Sequence, residues 1–193
     1  MLWLRKPSND NLRDFLASQS KLDFTYSAVG ATAAVPPAGF VVDRTRINLG
    51  EGARVFATAR AALERWEHFR LGWVEALPLE TPIKVGEVVA VMAQLFGLWH
   101  LNACRIVYVV DDEGPVKRYG FAYGTLPEHA ESGEERFTVE WQEGDNAVWY
   151  DILAFSRPQK ILARLGYPLV RRLQKRFARD SAAAMLRAVS SPG

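Results

Sequence analysis

The spacing of hydrophobic positions changes period along this chain, and each change marks an element. From Ser156 to Val189, Leu162, Leu165, Leu169, Leu173 and Phe177 recur at steps of three and four, which places them on one helical stripe. Such a stripe needs a large apolar partner, and the chain from about Val85 to Phe155 supplies one by alternating in the manner of strands. Leu173 falls at the centre of the helix, where an aspartate is expected to unfold the protein.

The rest of the chain divides by the same rule. Pro7, Ser8 and Asn9 precede LRDFLASQ, which predicts a short helix capped at Ser8 or Asn9 with Leu12, Phe15 and Leu16 inward. Gly30, Pro36, Pro37 and Gly39 punctuate an irregular connection whose Phe24 and Tyr26 are candidates to pack down. VVDRTRINLG reads as a strand with Val42, Arg44 and Arg46 on one side and Val41, Asp43, Thr45 and Ile47 on the other. From Glu51 to Phe69 the period turns helical, with Val55, Phe56, Ala59, Leu63 and Trp66 on one face. VVAVMAQLF is a nearly continuous apolar run, which suits a strand covered on both faces.

LWHLNACRIVYVVDDEG and VKRYGFAYGTLP then form a hairpin pattern. ERFTVEWQEGDNAVWYDILAF adds two strands, with Phe137, Val139 and Trp141 alternating against Thr138 and Glu140. Arg157 and Pro158 are expected to open the last helix, Gly166 to end its first piece and Pro168 to start the longer one. The fold class is therefore α+β, a curved antiparallel sheet wrapped around a long C-terminal helix. Residues 24–189 form the single domain and residues 1–23 an added N-terminal helical extension.

Composition narrows the class. With 49% hydrophobic and 24% charged residues, and no run near the ~18 apolar residues of a membrane span, the chain reads as a globular protein without an integral membrane segment. No signal peptide is visible, so a cytoplasmic location is expected. The single cysteine, Cys104, excludes an intramolecular disulfide and sits where a small buried hydrophobe is expected. From Arg157 onward there are nine basic residues and one acid, Asp180, so this stretch carries +8 and the remainder −6. Arg171, Arg172, Lys175, Arg176 and Arg179 form a basic face, read either as paired with acids elsewhere in the fold or as a surface for an acidic protein or anionic lipid. No nucleic-acid module accompanies it, and nucleic acid is not an expected partner.

Two groups of residues are candidates for chemistry. Tyr123, Gly124, Thr125, Glu128, His129, Glu131, Glu134 and Glu135 place a histidine among carboxylates, raw material for acid/base work, with His129 and Glu131 able to share a face. Two convergent ligands fall short of a metal site, and none is expected. Asn102, Arg105 and Asp151 are polar groups within apolar strands. Arg105 and Asp151 could pair inside, and Tyr108, Tyr123, Trp141 and Tyr150 could wall a ligand pocket with them. The alternative is that they lie on an outer face. His68 and His100, beside Trp66 and Trp99, read as packing residues. No phosphate loop, dinucleotide fingerprint or nucleophile elbow is present, so no cofactor is expected.

Several stretches carry a resemblance: FTYSAVGAT, the GF before VVDRTRINLGEG, WEHFRLGW, LNACRIVYVV, RYGFAYGTLPEHAESGEERF and VWYDILAFSRP. Together, from Phe24 to Met185, they resemble the uncharacterised family called domain of unknown function 1990. The element order is similar to the helix-grip fold of the START and birch-pollen-allergen superfamily. That resemblance implies an apolar or amphipathic small molecule held between sheet and terminal helix. An enzyme using the same cavity, with His129, Glu131 or Asp151 as base, is the alternative reading, and an interaction module acting through the basic helix is another.

Overall fold

A computed structural model describes residues 1–190, with Leu162 and Arg164 described by backbone alone. The first elements are β1 (Leu2–Trp3) and α1 (Asn9–Gln19), followed by β2 (Val41–Glu51) and α2 (Gly52–Glu64). Six strands follow: β3 (Val74–Leu77), β4 (Val88–Leu95), β5 (Leu98–Glu113), β6 (Val116–Thr125), β7 (Glu131–Gln142) and β8 (Ala147–Pro158). The chain ends in α3 (Ile161–Leu165) and α4 (Tyr167–Ser190).

All the strands join one antiparallel sheet in the order β2-β8-β7-β6-β5-β4-β3, with β1 paired to β5. Apart from β1, which pairs with β5, meander connections give every neighbour but one. The exception is β2, which closes the sheet beside the last strand and so brings both ends of the domain together. Bulges at Asn48/Gly50 and Ile106/Tyr108 interrupt the register and help the sheet curve.

The alternation expected of β2 is seen in the register. Arg44 and Arg46 turn to the convex face, while Asp43 turns inward and meets α4. Ser8 caps α1 through a reciprocal bond pair with Asn11, and Leu12 and Phe15 are buried against Ala90, Met92, Leu101 and Ala103. α1 thereby covers the convex face of β4 and β5. The opposite faces of Val89 and Ala93 belong to the main core, so β4 is enclosed on both sides as its apolar run requires.

That main core fills the concave face. Phe56, Ala59 and Leu63 of α2 meet Met185 and Val189 of α4 over Phe121, Phe137, Val139 and Tyr150 of the sheet. Two expectations about the terminal helix need correction. The strand β8 runs through Pro158, paired to Glu131, so Arg157 and Pro158 end a strand instead of opening a helix. The buried part of α4 is its second half, through Ser181, Ala182, Ala184, Met185 and Val189. Leu165 is 79% exposed, Leu169 is 42% exposed, Leu173 is only half-buried, and Leu162 lies outside the described side chains. The reason is geometric: small residues and Met185 let the second half approach α2 and the sheet closely, and the first half stands further off. Gly166 does divide α3 from α4, with its carbonyl accepting from Leu169 and Val170.

Candidate functional site

The sheet separates two polar systems that lie close together in the sequence. On the convex face, Glu134 is 2% exposed, and its carboxylate accepts from the Tyr26 hydroxyl and Gly30 N–H at 2.7 Å, from Thr32 N–H at 2.9 Å and from the Thr32 hydroxyl. A buried anion held by four donors pins the connection between α1 and β2 onto the sheet. Gly124 permits this seat, because a Cβ there would overlap the Tyr26 ring and hydroxyl. Tyr108 joins the same system by hydrogen bonding to Thr32 at 2.8 Å.

Asp151, fully buried, lies on this face as well. Arg44 reaches it at 2.8 Å, Arg136 at 3.2 Å and Arg46 at 3.5 Å. Arg46 continues to Glu140 at 2.6 Å. The expected pairing of Arg105 with Asp151 is not formed. Arg105 instead donates to the Ser20 and Leu22 carbonyls, at 2.7 and 2.9 Å, and stacks on Phe24. Three guanidinium groups around Asp151 make it a counter-charge for the sheet, not a free base.

The concave face holds the second system. Glu135 alternates with Glu134 and therefore turns inward, where the Tyr123 hydroxyl donates to its Oε2 at 2.8 Å. Burial pushes its carboxyl up to about 7, partly offset by the Tyr123 bond, and the Asp43 charge adds to the rise. Glu135 keeps some solvent exposure on the floor of the concave face. Close by, Tyr150 and Ser181 hydroxyls bond at 2.9 Å, and the buried Cys104 thiol is pushed up by burial and by Glu135, which makes it a poor nucleophile. Over this floor lies Phe177 of α4, 5.0 Å from Phe69 and 6.3 Å from Phe137 between ring centres. Arg171 clamps Asp43 by two bonds of 2.6 Å, and Gln174 donates to Glu131 and Ser156, so the first half of α4 is tied to the sheet by polar contacts.

The candidate wall residues consequently split. Tyr123, Trp141 and Tyr150 lie on the concave side, Trp141 at its far end against Phe56, whereas Tyr108 and Arg105 lie on the convex side. Asn102 holds the Ala130 N–H and the Val91 carbonyl. One pocket lined by all six is not formed, because the sheet stands between them. His129 accepts from the Glu131 N–H at 3.0 Å, and burial lowers it to about 4, a local turn support distant in kind from Asp151. Among the described residues no group of three or more His, Cys, Asp or Glu is placed to hold a metal. The hairpin 125–134 is also not exposed, since Thr125, Leu126, Glu131, Ser132 and Glu134 are buried.

Sequence reasoning grouped Glu135 with its neighbours without separating it. The signal was the alternation Glu135, Phe137, Val139, which puts a carboxylate in register with core positions. His68 is fully buried among Trp66, Phe69, Phe121 and Phe137, with both ring nitrogens unpartnered among the described residues, and burial lowers it to about 3. Two open clefts lie elsewhere: one of about 500 Å³ bounded by Thr25, Pro127, Ser132, Arg157, Pro158 and Gln159, the other of about 330 Å³ beside Arg65 and Arg70.

An antiparallel sheet of this order closing on a C-terminal helix is the helix-grip architecture of START-like proteins. Similar solved structures include that of Ara h 8.0201, with a TM-score of 0.53 and 13% identity over 80% of this chain and 100% of that one. Another is a START superfamily protein from Mycobacterium smegmatis, with a TM-score of 0.51 and 10% identity over 79% of this chain and 98% of that one. At such identities the likeness is one of fold. Sequence is more specific: residues 25–184 match the family described as Domain of unknown function (DUF1990), and the chain belongs to that family. It is 38% identical to a UPF0548 protein of Dictyostelium discoideum over 99% of this chain and 97% of that protein. To a UPF0548 protein of Deinococcus radiodurans it is 34% identical, over 97% and 98% of the two chains.

Proposed function

We propose that the protein binds an amphipathic small molecule between the concave face and the first half of α4, with the molecule's polar end on the Tyr123–Glu135 pair. The observation that carries this reading is a carboxyl–phenol pair set inward among aromatic rings, at the point where α4 rests on the polar contacts of Arg171 and Gln174 and on the half-buried ring of Phe177. Groups buried at a cost without a structural network around them favour a ligand role over the scaffold role that Asp151 fills.

Glu135 and Asp43 together disfavour a carboxylate ligand, so the preferred polar end is uncharged or cationic. At neutral pH the Glu135 carboxyl exchanges readily between donor and acceptor, which suits a hydroxyl. The ligand's apolar body would take the place now occupied by Phe177, beside Phe69 and Phe137. The test compares thermal shifts with a long-chain alcohol and with the fatty acid of equal length. The alcohol is expected to raise Tm more than the acid, and Tyr123→Phe with Glu135→Ala is expected to remove that shift. No shift with either compound, or one the double variant leaves intact, contradicts the reading.

A further inference from the structure

Some exposed apolar side chains, such as Val35 and Val85, stand apart from the others, but four of the most exposed lie together. Leu4 is 83% exposed, Phe96 77%, Ile161 74% and Leu165 79%. Single exposed residues of this kind need no account, but these come from three separate segments that the fold brings to one end of the sheet. β1 pairs with β5 at Leu2↔His100 and Trp3↔Trp99, which sets Leu4 beside the β4–β5 turn that carries Phe96. Trp3 packs with the α1 side of the sheet, so Leu2 turns the other way, toward the concave face. The Met1 amine donates to the Leu101 carbonyl and pairs with Glu128 at 3.4 Å, and Lys160, next to Ile161, pairs with the same carboxylate at 3.6 Å. The N-terminal strand and the start of α3 are thus neighbours.

The charge around this apolar end is mixed but mostly basic. Glu128 pairs with both the Met1 amine and Lys160. Lys6 lies over the Trp99 ring at 5.3 Å and pairs with Glu75 at 3.8 Å, so it is already partnered within the fold. Arg5, Arg172 and Lys175 are exposed and have no carboxylate partner among the described residues. Along α3 and α4 the outward residues run from Ile161, Leu165 and Leu169 to Arg172 and Lys175, apolar first and basic after. On the same helix Arg171 is committed to Asp43, and Arg176 and Arg179 to Asp180, so only part of the basic face is neutralised within the fold.

We propose that this end docks on an anionic lipid bilayer, with Leu4, Phe96, Ile161 and Leu165 entering the interface and the basic rim on headgroup phosphates. Apolar side chains ringed by lysine and arginine match the layered chemistry of that surface. A second copy of the chain fits less well, because it would set one basic rim against another. The inference is independent of the ligand reading, since docking requires no bound molecule.

The test is co-sedimentation of the full chain with vesicles of phosphatidylcholine alone and of phosphatidylcholine mixed with phosphatidylserine. Binding is expected to the mixed vesicles, to weaken about tenfold or more in a Leu4→Ser/Phe96→Ser variant, and to fall as salt is raised. Both side chains are exposed, so the variant should keep its circular dichroism spectrum and Tm. An Ile161→Ser variant gives an independent second reading on α3. Wild-type protein that stays in the supernatant with both vesicle types overturns the proposal, as does binding that neither variant changes. A dimer seen by light scattering and lost in the Leu4→Ser/Phe96→Ser variant overturns it too, and assigns the surface to self-association.

Discussion

His68 and Glu135 give stability opposite slopes with pH. His68 is held neutral in the fold, lowered from 6.5 to about 3, so the unfolded chain takes up a proton that the native state refuses. Stability from this source is complete above pH 6.5 and is lost as pH falls toward about 3. Glu135 is raised from 4.5 to about 7, so the native state keeps a proton that the unfolded chain releases. Its contribution is complete below pH 4.5 and is lost as pH rises through about 7. His68→Phe retains an aromatic ring and removes two buried nitrogens without partners. Urea unfolding is expected to show a gain on the order of 1–3 kcal/mol at pH 5. Glu135→Gln should flatten the decline between pH 4.5 and 7, which the same titration measures. At Glu134 the expectation is different: Glu134→Ala should free the Gly30 and Thr32 amides to exchange with solvent while the strand amides stay protected.

At the scale of elements, α4 is two helices in function. Its second half is core, and Met185→Ala should cost about 2–5 kcal/mol by leaving a cavity against α2 and the sheet. Its first half is held by Arg171, Gln174 and Phe177, so Leu173→Asp should be folded and only mildly destabilised, against the expectation from the stripe. A periodic pattern of leucines identifies a helix and its apolar side, which is why α3, α4 and their break at Gly166 were legible. The pattern does not tell how far a given turn stands from its neighbour, since that depends on residue size along both partners. The ion network of Asp151 was illegible for a related reason. Arg136 comes from the adjoining hairpin strand β7, but Arg44 and Arg46 reach Asp151 only because β2 returns to pair with β8, a long-range step that local alternation does not encode. Removing a partner from such a network should cost about 3–5 kcal/mol, and Asp151→Ala should lower stability by that order in chemical denaturation. Because Asp151 faces away from α4, the same variant, where still folded, should bind ligand as the wild type does.

For the whole molecule, the sheet acts as a partition between support and recognition. The convex side fixes the α1–β2 connection and carries a buried ion network, while the concave side is packed core under α2 and a polar floor under the start of α4. Strands β2 to β8, their order along the chain and the concave core could be read from alternation and turn chemistry, whereas the two-residue strand β1 left no such pattern. The face of Tyr108 could not be counted along β5, because the bulge between Ile106 and Tyr108 shifts the parity and turns Tyr108 away from the side of Ile106. The central claim is that the concave floor takes a ligand, and the most direct measurement is native mass spectrometry of gently purified protein, followed by solvent extraction. The account predicts a discrete added mass that is lost on denaturation and identified as an amphipathic compound with a neutral or cationic polar end. A bare chain of 21.7 kDa, from a preparation in which neither alcohol nor amine amphiphiles add mass when supplied, would contradict it.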